Sequence, residues 1–146
     1  MIRFSKITHN VRALFPKVRH YFTSKPDVEF AYLYGSYGEG KEGPLSDGDI
    51  AVFLTKEVPP DNYFELRLRM MTDMFKILKT DEVDLIILNE VNLSLTYHAI
   101  SKSTVLFERD PRVRIEFQVR TMDRSFDTKP FRQVQYESLL RRIQEG

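Results

Sequence analysis

Apolar positions along the chain change their spacing several times, and each change predicts a different kind of element. Up to about Ser24, apolar residues recur every three or four positions, which predicts a helix that Pro16 should kink or split. The clearest helical pattern runs from residue 62 to residue 78, and Asn62 and Glu65 at its start fit a capping box. The stripe that we expect to face the core consists of Phe64, Leu68, Met71, Phe75 and Leu78.

Short runs rich in β-branched and aromatic residues predict strands, because such side chains fit a pleated, half-buried surface. We place four strands at residues 28–34, 49–54, 83–88 and 103–107. A short helix is expected over residues 91–100, and a longer one begins with Asp110 as N-cap and Pro111 as its first residue and ends near Phe126. The core stripe expected of this longer helix is Ile115, Val119, Met122 and Phe126.

The C-terminal part of the chain is expected to be helical, with a last helix opened by Lys129-Pro130. The order α-β-β-α-β-α-β-α-α predicts an α+β fold, in which helices pack on a mixed sheet. Residues 1–108 should form the core, and residues 109–146 a helical extension packed on it, within a single domain overall. A chain of 146 residues is long enough for one such domain.

Composition excludes several classes of protein. The absence of cysteine excludes disulfide frameworks, Cys-ligated zinc, iron–sulfur clusters and thiol nucleophiles. The balance of 22 Lys+Arg against 21 Asp+Glu gives a net charge of +1, so direct nucleic-acid binding is not expected. Apolar runs are too short to span a membrane and the N-terminus lacks the apolar segment of a signal peptide, so we expect a cytoplasmic protein.

Glycines are concentrated in one segment, where five of the six fall between Gly35 and Gly48. The segment matches most of a Walker A loop, but Glu42 stands where that loop needs a Ser or Thr hydroxyl on magnesium. It also matches the spacing of a dinucleotide-binding fingerprint, but it runs into Pro44 instead of opening a helix. A protein-kinase glycine loop fails as well, because the chain has no His-Arg-Asp or Asp-Phe-Gly motif.

A fourth pattern remains, in which Gly35-Ser36 is followed after ten residues by Asp47-Gly48-Asp49. Gly35-Ser36 directly follows a predicted strand, where backbone N–H groups and a hydroxyl can hold phosphate oxygens. Asp47 and Asp49 lie two residues apart at the start of the next strand, so their side chains share one face. Neighbouring carboxylates repel each other unless a cation lies between them, and oxygen ligands suit magnesium shared with a nucleotide. The alternative is a surface turn in which Asp and Gly serve only the turn geometry.

A third carboxylate would complete such a site. Asp84 opens the third predicted strand and precedes an apolar run, and an acid in that position is costly unless it is paired or binds a metal. Glu82 shares its face by alternation, so the pattern itself leaves both open. Simple solvation of the strand end is the alternative to either.

The segments 33–40 and 46–52 resemble the minimal nucleotidyltransferases of the DNA polymerase β superfamily. The segment 83–86 is similar to the strand that carries the third carboxylate in that family, which favours Asp84 over Glu82. The segment 105–111 and the helical tail resemble the MNT antitoxins that are paired with HEPN toxins. The chain departs from the family at residues 38–40, which are Gly-Glu-Gly where many members have Ala-Arg-Gly.

The resemblance implies a polymerase-β-like fold and a role for each matching residue. Asp47, Asp49 and Asp84 would be the catalytic residues and hold Mg²⁺ ions that bridge the phosphates of ATP. Gly35 and Ser36 would hold the triphosphate, with Lys41 in place of the missing arginine. Asp84 would help to deprotonate the attacking hydroxyl. In MNT antitoxins that hydroxyl belongs to a tyrosine of the HEPN toxin, an RNA-cutting protein that AMPylation silences.

Two other functions remain open. A nucleotidyltransferase acting on a small molecule or an RNA end is one, although such relatives usually carry a further substrate-binding domain. A non-catalytic antitoxin that neutralises its toxin by binding is the other, with the helical tail as the interface through residues such as Arg141 and Arg142. A solvated, charged helix face is the simpler interpretation of those arginines.

Overall fold

The helices and strands follow one another along the chain in the predicted order. A computed structural model describes residues 11–35, 48–125 and 137–143. The strands are β1 (Val28–Tyr34), β2 (Gly48–Leu54), β3 (Val83–Ile87) and β4 (Ser103–Glu108). The α-helices are α1 (Phe15–Thr23), α2 (Tyr63–Leu78), α3 (Leu93–Ser101) and α4 (Pro111–Ser125), with short 3-10 helices at Val11–Leu14 and Pro60–Asn62. Residues 137–143 are also helical.

The strands form one mixed sheet in the order β3-β2-β1-β4. β1 is antiparallel to both of its neighbours, and β2 is parallel to β3. The C-terminal end of β1 therefore lies beside the N-terminal ends of β2 and β3. This arrangement confirms the predicted α+β fold with a mixed sheet.

Each face of the sheet is covered by helices and carries its own core. On one face, α1 and α2 pack on a cluster that includes Leu33, Val52 and Leu85. On the other face, α3 and α4 pack on a second cluster that includes Tyr32 and Ile86. Because successive side chains of a strand alternate between faces, residues 34, 49 and 84 fall on the second face.

Most predicted elements are confirmed by the structure. The strands begin and end within one residue of their predicted bounds, and the first helix is divided just before Pro16 as expected. Pro16 lies in the first turn of α1, where its missing N–H leaves no hydrogen bond unmade. The predicted cap of α4 is present, because Asp110 Oδ1 accepts a hydrogen bond from the backbone N–H of Arg112 at 3.0 Å.

The predicted start and face of α2 are partly wrong. Asn62 makes no side-chain capping bond, because it belongs to the 3-10 turn that precedes the helix and already has helical backbone angles. Phe64 is 69% exposed and Leu68 is 46% exposed, so the first half of the expected stripe faces away from the core. The residues that α2 buries are Met70, Met74 and Leu78.

The predicted face of α4 is also partly wrong. Ile115 and Val119 are exposed, whereas Met122 of the predicted stripe packs on the core together with Val113 and Phe117. Phe126 lies outside the described residues, as do residues 129–136 of the predicted last helix. Among the helices that the structure describes, none combines the length and the apolar character needed to cross a membrane.

Candidate active site

Two carboxylates lie side by side where β2 and β3 begin. Asp49 and Asp84 are direct partners in the parallel register of the two strands. On its other side Asp49 is paired with Tyr34, the last residue of β1. Register alone thus brings together two of the three predicted acids, which are 35 positions apart in the sequence.

Gly35 follows β1 and borders this pair of acids. Its backbone is in the left-handed region, with φ of 74°, which favours glycine. A Cβ atom added to Gly35 would lie 2.5 Å from Asp49 Oδ2, a distance that no ordinary side chain tolerates. The lack of a side chain at residue 35 is therefore what lets the carboxylate of Asp49 lie against the turn that ends β1.

A cation from α2 holds the second acid. Arg67 Nη2 donates to Asp84 Oδ1 at 3.3 Å, and Arg67 Nε donates to the backbone carbonyl oxygen of Leu85 at 2.7 Å. The Asp84 side chain is still 46% exposed. Its carboxylate is thus oriented by the arginine and yet accessible from solvent.

Tyr34 brings a buried hydroxyl to the same place. The pKa of Tyr34 is raised well above its usual range, first by burial and then by the negative charges of Asp49 and Asp84. Arg67 acts in the opposite direction. All four residues therefore share one electrostatic environment, in which Tyr34 stays protonated at every physiological pH.

A comparison of the sequence with models of protein families gives the family of the chain. Residues 16–112 match the model of the family described as polymerase beta, nucleotidyltransferase. The match covers most of the chain and includes both acids, Gly35 and Arg67. The chain belongs to this nucleotidyltransferase family. A comparison with curated proteins finds no match.

Solved structures of low sequence identity share the fold. A crystal structure of a toxin–antitoxin complex with AMP-PNP contains a chain 23% identical, with a TM-score of 0.60 over 90% of this chain and 99% of that one. A chain in the complex of tri-AMPylated Shewanella oneidensis HEPN toxin with MNT antitoxin is 21% identical, with a TM-score of 0.61 over 90% and 99%. A chain of the MntA–HepT toxin–antitoxin complex is 20% identical, with a TM-score of 0.59 over 88% and 98%.

The remaining predicted site residues lie elsewhere or outside the described part of the chain. Ser36, Lys41 and Asp47 belong to residues 36–47, which the structure does not describe. Glu82 is 1% exposed and precedes β3, so of the two candidate acids it is Asp84 that lies beside Asp49 and reaches solvent.

The donors that the structure does describe suit a hard cation. Two neighbouring carboxylates, one of them half-exposed, are the oxygen ligands that Mg²⁺ prefers, and a cation would offset their mutual repulsion. Among the described residues, no group of three or more His, Cys, Asp or Glu side chains is arranged to hold a metal. Asp49 and Asp84 thus fit part of a magnesium site, and Asp47 as a further ligand stays a prediction.

Sequence reasoning missed two members of the cluster. The sequence pattern predicts only that Tyr34 lies in a strand. Its place next to Gly35, at the end of a strand that pairs with the one opened by Asp49, is the signal that puts it beside the acid. Arg67 carries no comparable signal, because its contact with Asp84 depends on how α2 packs against β3. Spacing does not single out Arg67 from Arg69, the other arginine on α2.

Proposed function

We propose that this nucleotidyltransferase is the antitoxin of a toxin–antitoxin pair and acts as a protein adenylyltransferase. It transfers AMP from ATP to a tyrosine hydroxyl of a cognate HEPN ribonuclease toxin and thereby neutralises it. The observation that carries the proposal is the register of Asp49 and Asp84 beside Gly35, in a chain of the nucleotidyltransferase family. The fold shared with chains of toxin–antitoxin complexes, one of them with a tri-AMPylated HEPN toxin, supports the choice of acceptor and partner.

The transfer is a displacement at the α-phosphorus of ATP. A bond forms between the tyrosine oxygen and the α-phosphorus, the bond from that phosphorus to the oxygen bridging to the β-phosphorus breaks, and pyrophosphate leaves. Asp84 accepts the proton of the attacking hydroxyl, since its carboxylate is exposed and anchored by Arg67. Asp49, Asp84 and Asp47 would hold Mg²⁺, which when bound supplies positive charge to the phosphates.

Binding of the triphosphate is assigned to the turn after β1. The left-handed Gly35 has no Cβ, so this turn lies directly against the carboxylate of Asp49, one of the proposed magnesium ligands. The hydroxyl of Ser36 and the ammonium group of Lys41 supply the remaining contacts to phosphate oxygens, in keeping with the family resemblance.

The test uses intact-protein mass spectrometry. A HEPN protein encoded beside this chain would be incubated with Mg-ATP and with the unaltered protein, with Asp49→Asn, or with the matched control Asp61→Asn on the exposed Pro60–Asn62 turn. We expect AMP-sized mass additions with the unaltered protein and with Asp61→Asn, and none with Asp49→Asn, because the amide removes one of the paired carboxylates.

Other outcomes identify other functions. A stable complex with both the unaltered protein and Asp49→Asn, and no mass addition with either, would mean an antitoxin that acts by binding alone. Neither addition nor complex would favour a nucleotidyltransferase that acts on a small molecule. Both results would contradict the proposal.

A further inference from the structure

We propose that Arg67 is a positioning residue for Asp84, a role that rests on the proposed function. One edge of its guanidinium donates two hydrogen bonds, from Nε to the Leu85 carbonyl oxygen at 2.7 Å and from Nη2 to Asp84 Oδ1 at 3.3 Å. The first bond ties the arginine to the backbone of the residue that follows Asp84. The second bond therefore fixes the carboxylate of Asp84 relative to β3, the strand that carries it.

The topology explains why this residue can reach the acid. α2 packs on the face of the sheet opposite to Asp84, but β3 is an edge strand of the described sheet. A long side chain from α2 can pass around that edge, and the side chain of Arg67 is 30% exposed as it does so. Because β3 is an edge strand of the described sheet, Arg67 can hold both the carbonyl oxygen of Leu85 and the carboxylate of Asp84 on the opposite face.

The charge of Arg67 has a second effect on the site. Asp49 and Asp84 are register partners and their charges repel each other, which favours turning one carboxylate away from the other. The guanidinium lies on the Asp84 side of the pair and offsets this repulsion. It thereby keeps the carboxylate of Asp84 in one orientation, which a proton acceptor requires.

Geometry and charge make different predictions when Arg67 is replaced. Arg67→Lys keeps the positive charge but cannot offer two parallel donors from one planar edge. Arg67→Met removes both. We expect kcat for AMP transfer to fall about 10- to 100-fold in both variants, with the KM for ATP changed less than about threefold, as for residues that orient a ligand-binding side chain.

Cation binding separates the two effects without relying on activity. Mn²⁺ binding, measured by electron paramagnetic resonance, should weaken about three- to tenfold in both Arg67→Met and Arg67→Lys, because Asp84 is a proposed ligand of the cation and both variants lose the two-point contact that orients it. Tighter binding by Arg67→Met with unchanged binding by Arg67→Lys would mean that the arginine acts only as a competing charge, and would overturn the inference. Arg69→Met is the matched control, since Arg69 lies on the same helix but pairs with the exposed Glu65. It should leave kcat and Mn²⁺ affinity unchanged.

Failure of the inference can be told from failure of the proposed function. If the unaltered protein transfers AMP and Arg67→Lys retains full kcat, the two-point contact does not position Asp84 and the inference is overturned. If the unaltered protein transfers no AMP, the proposed function fails and the Mn²⁺ measurement decides. Weaker binding by both Arg67→Met and Asp84→Asn would still support the inference, whereas equal affinities of the unaltered protein and Arg67→Met would overturn it.

Discussion

The carboxylate of Asp49 occupies the space in which a side chain of Gly35 would begin. A Cβ atom at residue 35 would lie 2.5 Å from Asp49 Oδ2 and 3.4 Å from its carboxyl carbon. The same glycine has a left-handed backbone with φ of 74°. Two separate constraints thus require glycine here, one from backbone conformation and one from the position of the acid.

Gly35→Ala should therefore impair both stability and activity. The left-handed backbone is expected to cost about 1–2 kcal/mol in free energy of unfolding when a Cβ is present. The methyl group also displaces the Asp49 carboxylate by about 1 Å, which should lower kcat about 100-fold. Urea unfolding and the AMP-transfer assay measure the two effects.

A double-mutant cycle isolates the contact between the two residues. In an Asp49→Ala background the carboxylate is gone, so Gly35→Ala should cost about 1 kcal/mol less than in the unaltered chain. Equal costs in both backgrounds would show that only the backbone conformation, and not the proximity of Asp49, requires glycine at residue 35.

Magnesium and ATP together should stabilise the fold through the paired acids. A ligand present at about 100 times its dissociation constant adds about 2.7 kcal/mol to the free energy of unfolding, which corresponds to a rise in Tm of several degrees. Differential scanning fluorimetry with Mg²⁺ alone, ATP alone and both would measure this. Asp49→Asn should lose most of this rise in Tm, whereas the control Asp61→Asn should keep it. A Tm that millimolar Mg-ATP does not change would count against the whole site assignment.

Tyr34 should make the protein less stable at alkaline pH. Its pKa is raised in the folded state by burial and by Asp49 and Asp84, whereas an unfolded tyrosine titrates near its ordinary value of about 10. Above that pH the unfolded chain releases this proton and the folded protein keeps it, so stability is present in full below pH 10 and is lost as the pH rises. The loss from one such group is about 1.4 kcal/mol per pH unit.

Replacement of the hydroxyl group tests this linkage. In Tyr34→Phe, the free energy of unfolding measured in urea between about pH 9 and 11 should fall less steeply, by up to that amount per unit. The fall should not vanish, because burial and Asp73 also raise the pKa of Tyr21. Tyr63→Phe on α2 is the control, and an identical slope in the two variants would contradict the assignment.

The strands could be predicted from the sequence because each is bounded by residues that cannot continue it. Val28–Tyr34 lies between the Lys25-Pro26-Asp27 break and the first of the clustered glycines, so its bounds are set by composition. Asp49 and Gly35 could also be predicted, since their spacing places them at strand ends, whereas the pattern left Asp84 and Glu82 both open and only the family resemblance favoured Asp84. Arg67 could not, because its contact is made across 17 positions by tertiary packing.

Helix faces were the less predictable part, because α2 and α4 have apolar residues around more than one side. In α2, Phe64 and Leu68 fit a helical spacing just as Met70 and Met74 do. Periodicity alone therefore does not show which pair faces the core. The position of the sheet decides which pair is buried. The helix turns Met70 and Met74 toward the sheet and leaves Phe64 and Leu68 exposed.

The face of α4 can be tested directly. Phe117 packs against Phe53 and Phe30, with ring centroids 4.6 Å and 5.4 Å apart, whereas Ile115, on the same helix, is 50% exposed. Phe117→Ala should therefore lower the free energy of unfolding by about 2–3 kcal/mol, since it opens a cavity in the core on this face of the sheet. Ile115→Ala should change it by less than about 0.5 kcal/mol, as is usual for surface substitutions. Urea denaturation of the isolated protein measures both, and a larger loss for Ile115→Ala than for Phe117→Ala would mean that α4 packs through the face with Ile115 and Val119.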